Sequence, residues 1–425
     1  MKILYISQYF PPEIGAPAAR VSELSRHWAE LGHQVTVLTG FPNHPAGVVP
    51  REYKAKLKRL VMREEFHGVS ILRSWLLPFA NRKSWERILN YSSFFFSSAI
   101  TGLFVRRPDV VIATSPQLLV ALSGWWIALC KGAPFVFEVR DLWPESVAAV
   151  GMGKQKSLLY QTLKAIAGFL YRRAERIVVV APAFKAHLVQ HWQVPAEKIF
   201  VVENGVETAI FKPQRANLEI RRKLDAEDKF VISYIGTVGA AHQLETMIEA
   251  AEKLQQSMPE VVFLLAGDGA EKERICSLAQ SKKLSNLRIL PALPRENVPE
   301  YIAASDACLV LLRSAEIFKT VIPTKMLEFM SCARPVILGV EGQAKEILEK
   351  AQAGISIEPG SAAALAHAIA FLATNRPLGY SCGENGRRYI LRHLSRQETA
   401  QTYLSILRGV AQPYSVWMHA ADHAA

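Results

Sequence analysis

The stretch from Phe318 to Leu338 carries the densest chemistry in the chain. Pro323 ahead of Thr324 marks a helix start. Thr324 and Lys325 then fall in the first turn, where free N–H groups, a hydroxyl and an ammonium together can hold a diphosphate. Glu328 lies four residues beyond Thr324, on the same helical face. A carboxylate there can accept hydrogen bonds from the two hydroxyls of a ribose, so that one helix start holds phosphate and sugar together. The same residues also read as a plain helix start before a strand, with Glu328 favourable to the helix dipole.

Three loops add to it, each with a bland reading beside the chemical one. Gly236-Thr237-Val238-Gly239-Ala240-Ala241-His242 is small-residued and precedes a helix, which lets a ligand approach the backbone. Gly267-Asp268-Gly269 is a tight turn after a strand. Gln8 to Arg20 holds Gly15, followed by a helix with Pro17 near its start, a place for an anion or an ordinary strand-to-helix loop. Phe137-Glu138-Val139-Arg140-Asp141-Leu142-Trp143-Pro144-Glu145-Ser146 follows a buried strand. Asp141 is either a group that orients an attacking hydroxyl or half of a structural pair with Arg140. His242 is either a contact to a leaving phosphate or a satisfied core histidine.

These residues need a scaffold, and the sequence describes one. Short β-branched runs at Ile3–Ile6, Val35–Leu38, Val110–Ala113, Phe135–Glu138, Ile177–Val180 and Ile199–Val202 alternate with helical patterns. Runs this apolar fit strands covered on both faces of a parallel sheet. The series restarts at Val231–Ile235 and continues through Val261–Ala266, Leu287–Leu290, Ala307–Leu312, Pro335–Leu338 and Ile355–Ile357. The expectation is an α/β protein with two doubly wound, Rossmann-like domains at 1–204 and 218–395, joined by a linker at 205–217. A ligand site is expected in the cleft between them. The chain after about Leu391 reads as helix, and the tail from Pro413 as loose.

Composition narrows the class. With 425 residues, 50% hydrophobic and 21% charged, the chain is globular in type and long enough for two cores. Five scattered cysteines without a CxxC pair argue against a disulfide framework or a zinc site. The first dozen residues do not read as a signal peptide. Residues 1–205 hold 25 basic and 14 acidic side chains, a net +11, whereas residues 206–425 hold 25 against 24, a net +1. Basic residues cluster at Arg51–Arg63 and again at Lys154–Arg176. This lopsided charge fits a polyanion or an anionic membrane as partner, or a solvated basic face. Two apolar stretches in the same half, Phe94–Val105 and Leu118–Cys130, are too short to span a bilayer and read as buried helices or helices that dip into an interface. No recognised nucleic-acid module accompanies the basic half.

Taken together, the motifs resemble the large retaining family 4 of glycosyltransferases with the GT-B fold. Within it they are most similar to the WbuB-type aminosugar transferases of bacterial O-antigen, capsule and exopolysaccharide synthesis. The resemblance rests on Gln8–Glu13 with Gly15, Arg140–Ser146, Asn204-Gly205-Val206, Gly236–His242, Ala266–Gly269 and Phe318–Glu328, in family order over about residues 1–395. It implies transfer with retention from a nucleotide-sugar, UDP-linked, carrying an N-acetylated aminosugar or a deoxyhexose. The implied acceptor is a polyprenyl-diphosphate-linked glycan at the cytoplasmic face of the inner membrane, with the protein bound peripherally to the anionic leaflet. No nucleic acid partner, metal or other cofactor is implied.

Residue by residue, the resemblance makes Glu328 the ribose ligand, and Thr324, Lys325 and Met326 the diphosphate-binding helix start. Gly236, Thr237 and Gly239 form the loop under the phosphates, with Gly267 and Asp268 beside it. Gly15 belongs to the loop that closes from the first domain, Asp141 and His242 carry the catalytic roles, and the final helix, 396–425, packs back on the first domain. The family pattern has a glutamate where Thr320 stands, so Lys319 and Thr320 take its place toward the donor sugar. Two other functions fit the same fold: a nucleotide-sugar 2-epimerase, and a non-catalytic scaffold of a polysaccharide assembly.

Overall fold

The architecture comes from a computed structural model that describes residues 1–411 except 14, 44–46, 80–83, 146–156 and 216. Ser146, Lys154, Lys156 and the tail from Pro413 therefore lie outside the described residues. The chain divides into two compact units, Met1–Glu203 with Thr399–Ala425, and Asn204–Glu398.

The first unit is built on an eight-stranded sheet. Its strands are β1 (Lys2–Ile6), β2 (Gln34–Gly40), β3 (Val61–Phe66), β4 (Val69–Ser74), β5 (Val110–Thr114), β6 (Phe135–Val139), β7 (Arg176–Val179) and β8 (Ile199–Val201). The order across the sheet is β3-β4-β2-β1-β5-β6-β7-β8. All neighbours are parallel except β3, which runs antiparallel to β4 at the edge. β5 and β6 are buried along their whole length, as their largely apolar sequence favours, with Glu138 the one charged side chain among them. The β3–β4 ribbon was not expected: Arg63, Glu64 and Glu65 make β3 look like a charged loop. An edge strand tolerates that charge, which keeps it from pairing with other chains.

Helices α1 (Ala16–Glu30), α2 (Ser84–Leu103) and α3 (Leu118–Lys131) cover the sheet. α3 seats closely because Gly124 meets the sheet: a Cβ there would lie 2.5 Å from that of Ala113. The last helix, Arg396–Ala411, completes the opposite face. Its Tyr403 rests edge-on against Trp28 of α1 with ring centroids 5.3 Å apart, and the Trp28 indole N–H donates to the Ala400 carbonyl at 3.0 Å.

The second unit holds β9 (Phe230–Ile235), β10 (Val261–Ala266), β11 (Leu287–Leu290), β12 (Ala307–Leu311), β13 (Val336–Gly339) and β14 (Gly354–Ser356), in the order β11-β10-β9-β12-β13-β14. The chain leaves β9 toward β10 and β11, then returns to place β12 on the other side of β9. That reversal is a topological switch point, and ligands of open α/β sheets bind beyond the carboxyl ends of the strands there. The segment at 205–217, expected as a linker, is anchored in this unit. Val206 bridges to Ser395, and Phe211 is fully buried in the core.

Candidate functional site

The loops that follow β9 and β10 lie backbone against backbone. Val238 donates its N–H to the Asp268 carbonyl at 2.8 Å, and Glu271 donates to the Val238 carbonyl at 3.0 Å. Only glycine permits this at position 267, where a Cβ would stand 1.8 Å from the Gly236 carbonyl oxygen. Asp268 is exposed, and its Oδ1 accepts the Gly269 N–H at 2.7 Å, so it stabilises the turn. Gly236, at φ +142°, presents bare backbone to an ammonium: a Cβ there would sit 3.0 Å from the Lys325 Nζ.

That ammonium belongs to α4 (Thr324–Ser331), whose first turn has no side-chain cap. Apart from that of Met326, which donates to the Pro323 carbonyl, the N–H groups of that turn stand at the helix end where the dipole favours an anion. Lys325 Nζ donates to the Tyr234 hydroxyl at 2.8 Å and stands 3.9 Å from the centroid of the same ring. The Tyr234 hydroxyl donates in turn to the Thr237 carbonyl at 2.6 Å. Tyr234 thus ties the lysine of the helix start to the glycine loop. Burial pushes Lys325 from its ordinary 10.5 down to about 7, against an opposite pull from Glu328. The same burial pushes the Tyr234 phenol up.

Glu328 is only 14% exposed, and its Oε1 accepts from Arg295 Nη1 at 3.1 Å. The Arg295 guanidinium stands 5.1 Å from the centroid of the Phe211 ring. Thr324 is partly exposed at the same helix start. Tyr234, Arg295 and Phe211 were absent from the sequence-based set. Arg295 follows β11 at the carboxyl edge of the sheet, so strand position alone would have flagged it.

Other expected residues stand differently. Met326 is a core side chain, fully buried, and its N–H already donates to the Pro323 carbonyl. Its expected ligand contact is therefore corrected to a packing role. His242 lies in the short turn after Gly239, its ring centroid 6.1 Å from that of Tyr234. Burial first, and then the Lys325 charge, push it down to about 4 despite a smaller opposite pull from the Gly239 backbone. At neutral pH it is an uncharged imidazole and supplies no cation. Lys319 pairs with Glu316 at 2.6 Å and approaches Glu341 at 3.9 Å. Its backbone lies close against Gly342, where a Cβ would be 2.1 Å from the Lys319 carbonyl oxygen.

Gly15 and Asp141 belong to the first unit. Gly15 precedes α1 at φ +149°. Asp141 follows β6, and the N–H groups of Arg140 and Asp141 donate to the Ser115 hydroxyl at 2.7 and 3.2 Å. Beneath them, Glu138 is fully buried, takes a 2.9 Å ion pair from Arg20 and a 2.6 Å bond from the Tyr5 hydroxyl. Burial alone would raise this carboxyl. Arg20, Arg140 and the Tyr5 hydroxyl together outweigh it and leave the group below its ordinary value. Glu13 is a loop clamp: its carboxylate accepts the N–H of Asn43 at 2.9 Å and that of Phe10 at 3.3 Å. Among the described residues, no group of three or more His, Cys, Asp or Glu could hold a metal ion.

Comparison with known proteins gives this geometry a family. The chain is 25% identical to the putative colanic acid biosynthesis glycosyl transferase WcaI of Escherichia coli (strain K12), over 96% of this chain and all of that one. It is also 25% identical to the probable glycosyltransferase WbjE of Pseudomonas aeruginosa, over 66% of this chain and 69% of that one. Among solved structures, it is similar to Anabaena Alr3699/HepE in complex with UDP-glucose, with a TM-score of 0.71, 16% identity, and coverage of 96% of this chain and all of that one. Sucrose-phosphate synthase from Thermosynechococcus elongatus gives a TM-score of 0.74 at 18% identity, covering 96% and 98%. These likenesses show the fold, which is GT-B. Residues 15–205 match the glycosyl transferase 4-like domain and residues 217–389 the glycosyl transferases group 1 model. With one such domain in each unit, the chain belongs to the group 1 glycosyltransferases.

Proposed function

We propose that the protein is a retaining glycosyltransferase of bacterial surface polysaccharide synthesis. It moves an N-acetylated aminosugar or a deoxyhexose from a UDP-sugar to a lipid-linked glycan. The observation that carries the donor reading is the convergence, at the switch point of the second unit, of an uncapped helix start, the Lys325 ammonium and the Arg295-paired Glu328. The relative named for colanic acid biosynthesis supports the polysaccharide reading, and the neighbour solved with UDP-glucose supports uridine.

In this reading Glu328 accepts the two ribose hydroxyls, its orientation fixed by Arg295. The first turn of α4, Thr324 and Lys325 take the diphosphate over the bare backbone of Gly236 and Gly239. Lys319 and Thr320 face the donor sugar, and Asp141 serves the acceptor hydroxyl. The hydroxyl oxygen forms a bond to the anomeric carbon on the face from which the diphosphate departs. The carbon–oxygen bond to the diphosphate breaks, its electron pair leaves with UDP, and the hydroxyl proton passes to the departing phosphate oxygen. Charge grows on that oxygen, and Lys325 and the helix N–H groups are preorganised to meet it. No metal enters the scheme.

The test is nucleotide release from a panel of UDP- and GDP-sugars with lipid-linked acceptor, using Glu328→Ala as control. Release of UDP that needs acceptor and is lost in the variant supports the reading. Turnover of nucleotide-sugar without acceptor overturns it in favour of an epimerase. Binding of UDP with no release in any combination favours a scaffold.

A further inference from the structure

The apolar stretch of α2 is half buried and half exposed. Asn90, Phe94, Ser98 and Thr101 are buried on one side, so the helix already has its core face. On the other side, Trp85, Ile88, Leu89, Phe96, Ile100 and Leu103 are all exposed, Phe96 at 63%. At 100° per residue these six positions fall within an arc of about 120°. Phe104, 79% exposed, carries the stripe past the end of the helix. Beside it runs α3, with Ile127 seated on Gly102, and α3 exposes Trp126 and Leu129. An exposed apolar surface of this extent is a partner surface in most proteins.

The charge around the stripe identifies the partner. No charged residue stands among the exposed positions of the stripe itself. At its carboxyl end the surroundings are basic: Arg63 and Arg106 line a groove together with Phe104, and the Lys131 ammonium reaches the Leu103 carbonyl. Lys58 and Arg59, both exposed, lead into Leu60 and Val61, which line an apolar groove with Ile100 and Phe104. An apolar stripe carrying tryptophans and ending in lysines and arginines fits a lipid surface with anionic headgroups. Among the described residues, no helix is long and apolar enough to cross a membrane, so the fit is to the surface plane.

We propose that α2 lies in the interface of an anionic bilayer, its Trp85–Phe104 stripe among the acyl chains and the basic residues at its carboxyl end on the lipid phosphates. The proposal deepens the lipid-linked acceptor reading and rests on it for its purpose, while the docking itself requires no particular donor sugar. The full chain is tested by co-sedimentation with vesicles of phosphatidylglycerol and phosphatidylethanolamine, against phosphatidylcholine alone. The expected result is binding to the anionic vesicles that falls about tenfold for Phe96→Ser and again for Ile100→Ser, each exposed side chain contributing a full apolar burial. UDP affinity and melting temperature stay at the wild-type values. Absence of binding to anionic vesicles overturns the proposal, as does binding that neither substitution weakens. A dimer in sedimentation velocity that Phe96→Ser dissociates overturns it too, giving the face to a second copy. If vesicle binding fails while UDP release persists, docking falls and the transferase stands; if vesicles bind and no nucleotide is released, the reverse holds.

Discussion

Lys325 should make nucleotide binding depend on pH in a window where few other groups titrate. Its ammonium is held by the Tyr234 hydroxyl and ring, and burial lowers it to about 7. A lysine lowered in this way is charged below that value and loses its proton as pH rises through it. At pH 6 about nine chains in ten carry the charge, and at pH 9 about one in a hundred. If UDP binds only the charged form, its apparent affinity falls by that fraction, about a hundredfold from pH 6 to pH 9, or about 2.7 kcal/mol. His242, pushed down to about 4, does not titrate in this window. The terminal phosphate loses its second proton near pH 6, so the slope is read between pH 7 and 9. Isothermal titration in two buffers of different ionisation enthalpy gives affinity and proton uptake together. Wild type should take up close to one proton on binding at pH 8.5. Lys325→Arg, always charged, should bind with a flat profile, and Lys325→Met should bind weakly at every pH. A flat wild-type profile between pH 7 and 9 would refute the reasoning, because it would mean that the ammonium is solvated and the pocket is not as closed as its geometry implies.

The same lysine affects the empty protein. Between about 7 and 10.5 the folded state binds fewer protons at Lys325 than the unfolded state does, so its contribution makes stability rise with pH across that window, by at most about 1.4 kcal/mol per unit. Lys325→Met should remove this slope, which melting curves at pH 7 and 9 would reveal. Arg295→Ala removes the ion pair that orients Glu328, and UDP should bind about tenfold more weakly while Arg295→Lys recovers part of the loss; equal affinities in titration would place the ribose elsewhere. Gly267→Ala puts a methyl 1.8 Å from the Gly236 carbonyl oxygen, so the two loops must separate at a cost of about 2 kcal/mol or more, seen in calorimetry. Gly409→Ala, which meets nothing within 4 Å in the last helix, should instead hold or raise the melting temperature and serves as the control.

The parts legible in the sequence were those with a local signal. Central strands such as β9 and β10 are apolar at every position but Ser233 and the hydroxyl of Tyr234, so burial on both faces followed from composition. The glycine loops and the Pro323-Thr324-Lys325 start announced themselves because backbone geometry restricts which residues can stand there. What stayed hidden depends on partners distant in sequence. Arg295 gains its role only from Glu328, 33 residues later, and Tyr234 is an ordinary strand residue until Lys325 arrives over its ring. Arg73 is a similar case: buried in β4, it donates to the carbonyls of Gly40 and Pro11 and so braces the loop after β1. Phe211 lay in a stretch whose turn residues resembled a linker, yet it fills the second core. The Phe94–Val105 run predicted a helix correctly, but helical spacing cannot tell which apolar face a fold leaves uncovered.

The last helix has a consequence for the order in which the protein can be made. Tyr403, Leu404 and Leu407 complete the core around Trp28, yet they are synthesised after the whole of the second unit. The second unit, Asn204–Glu398, is continuous in sequence and can close as soon as it emerges. The first unit must wait with part of its apolar surface open while those 195 residues are translated, about 10 to 40 seconds at ordinary rates. During that interval the side chains around Trp28 are available to chaperones. A released chain that ends before Thr399 therefore carries a complete second unit on an unfinished first one, and the damage from losing the end of the chain appears at its beginning.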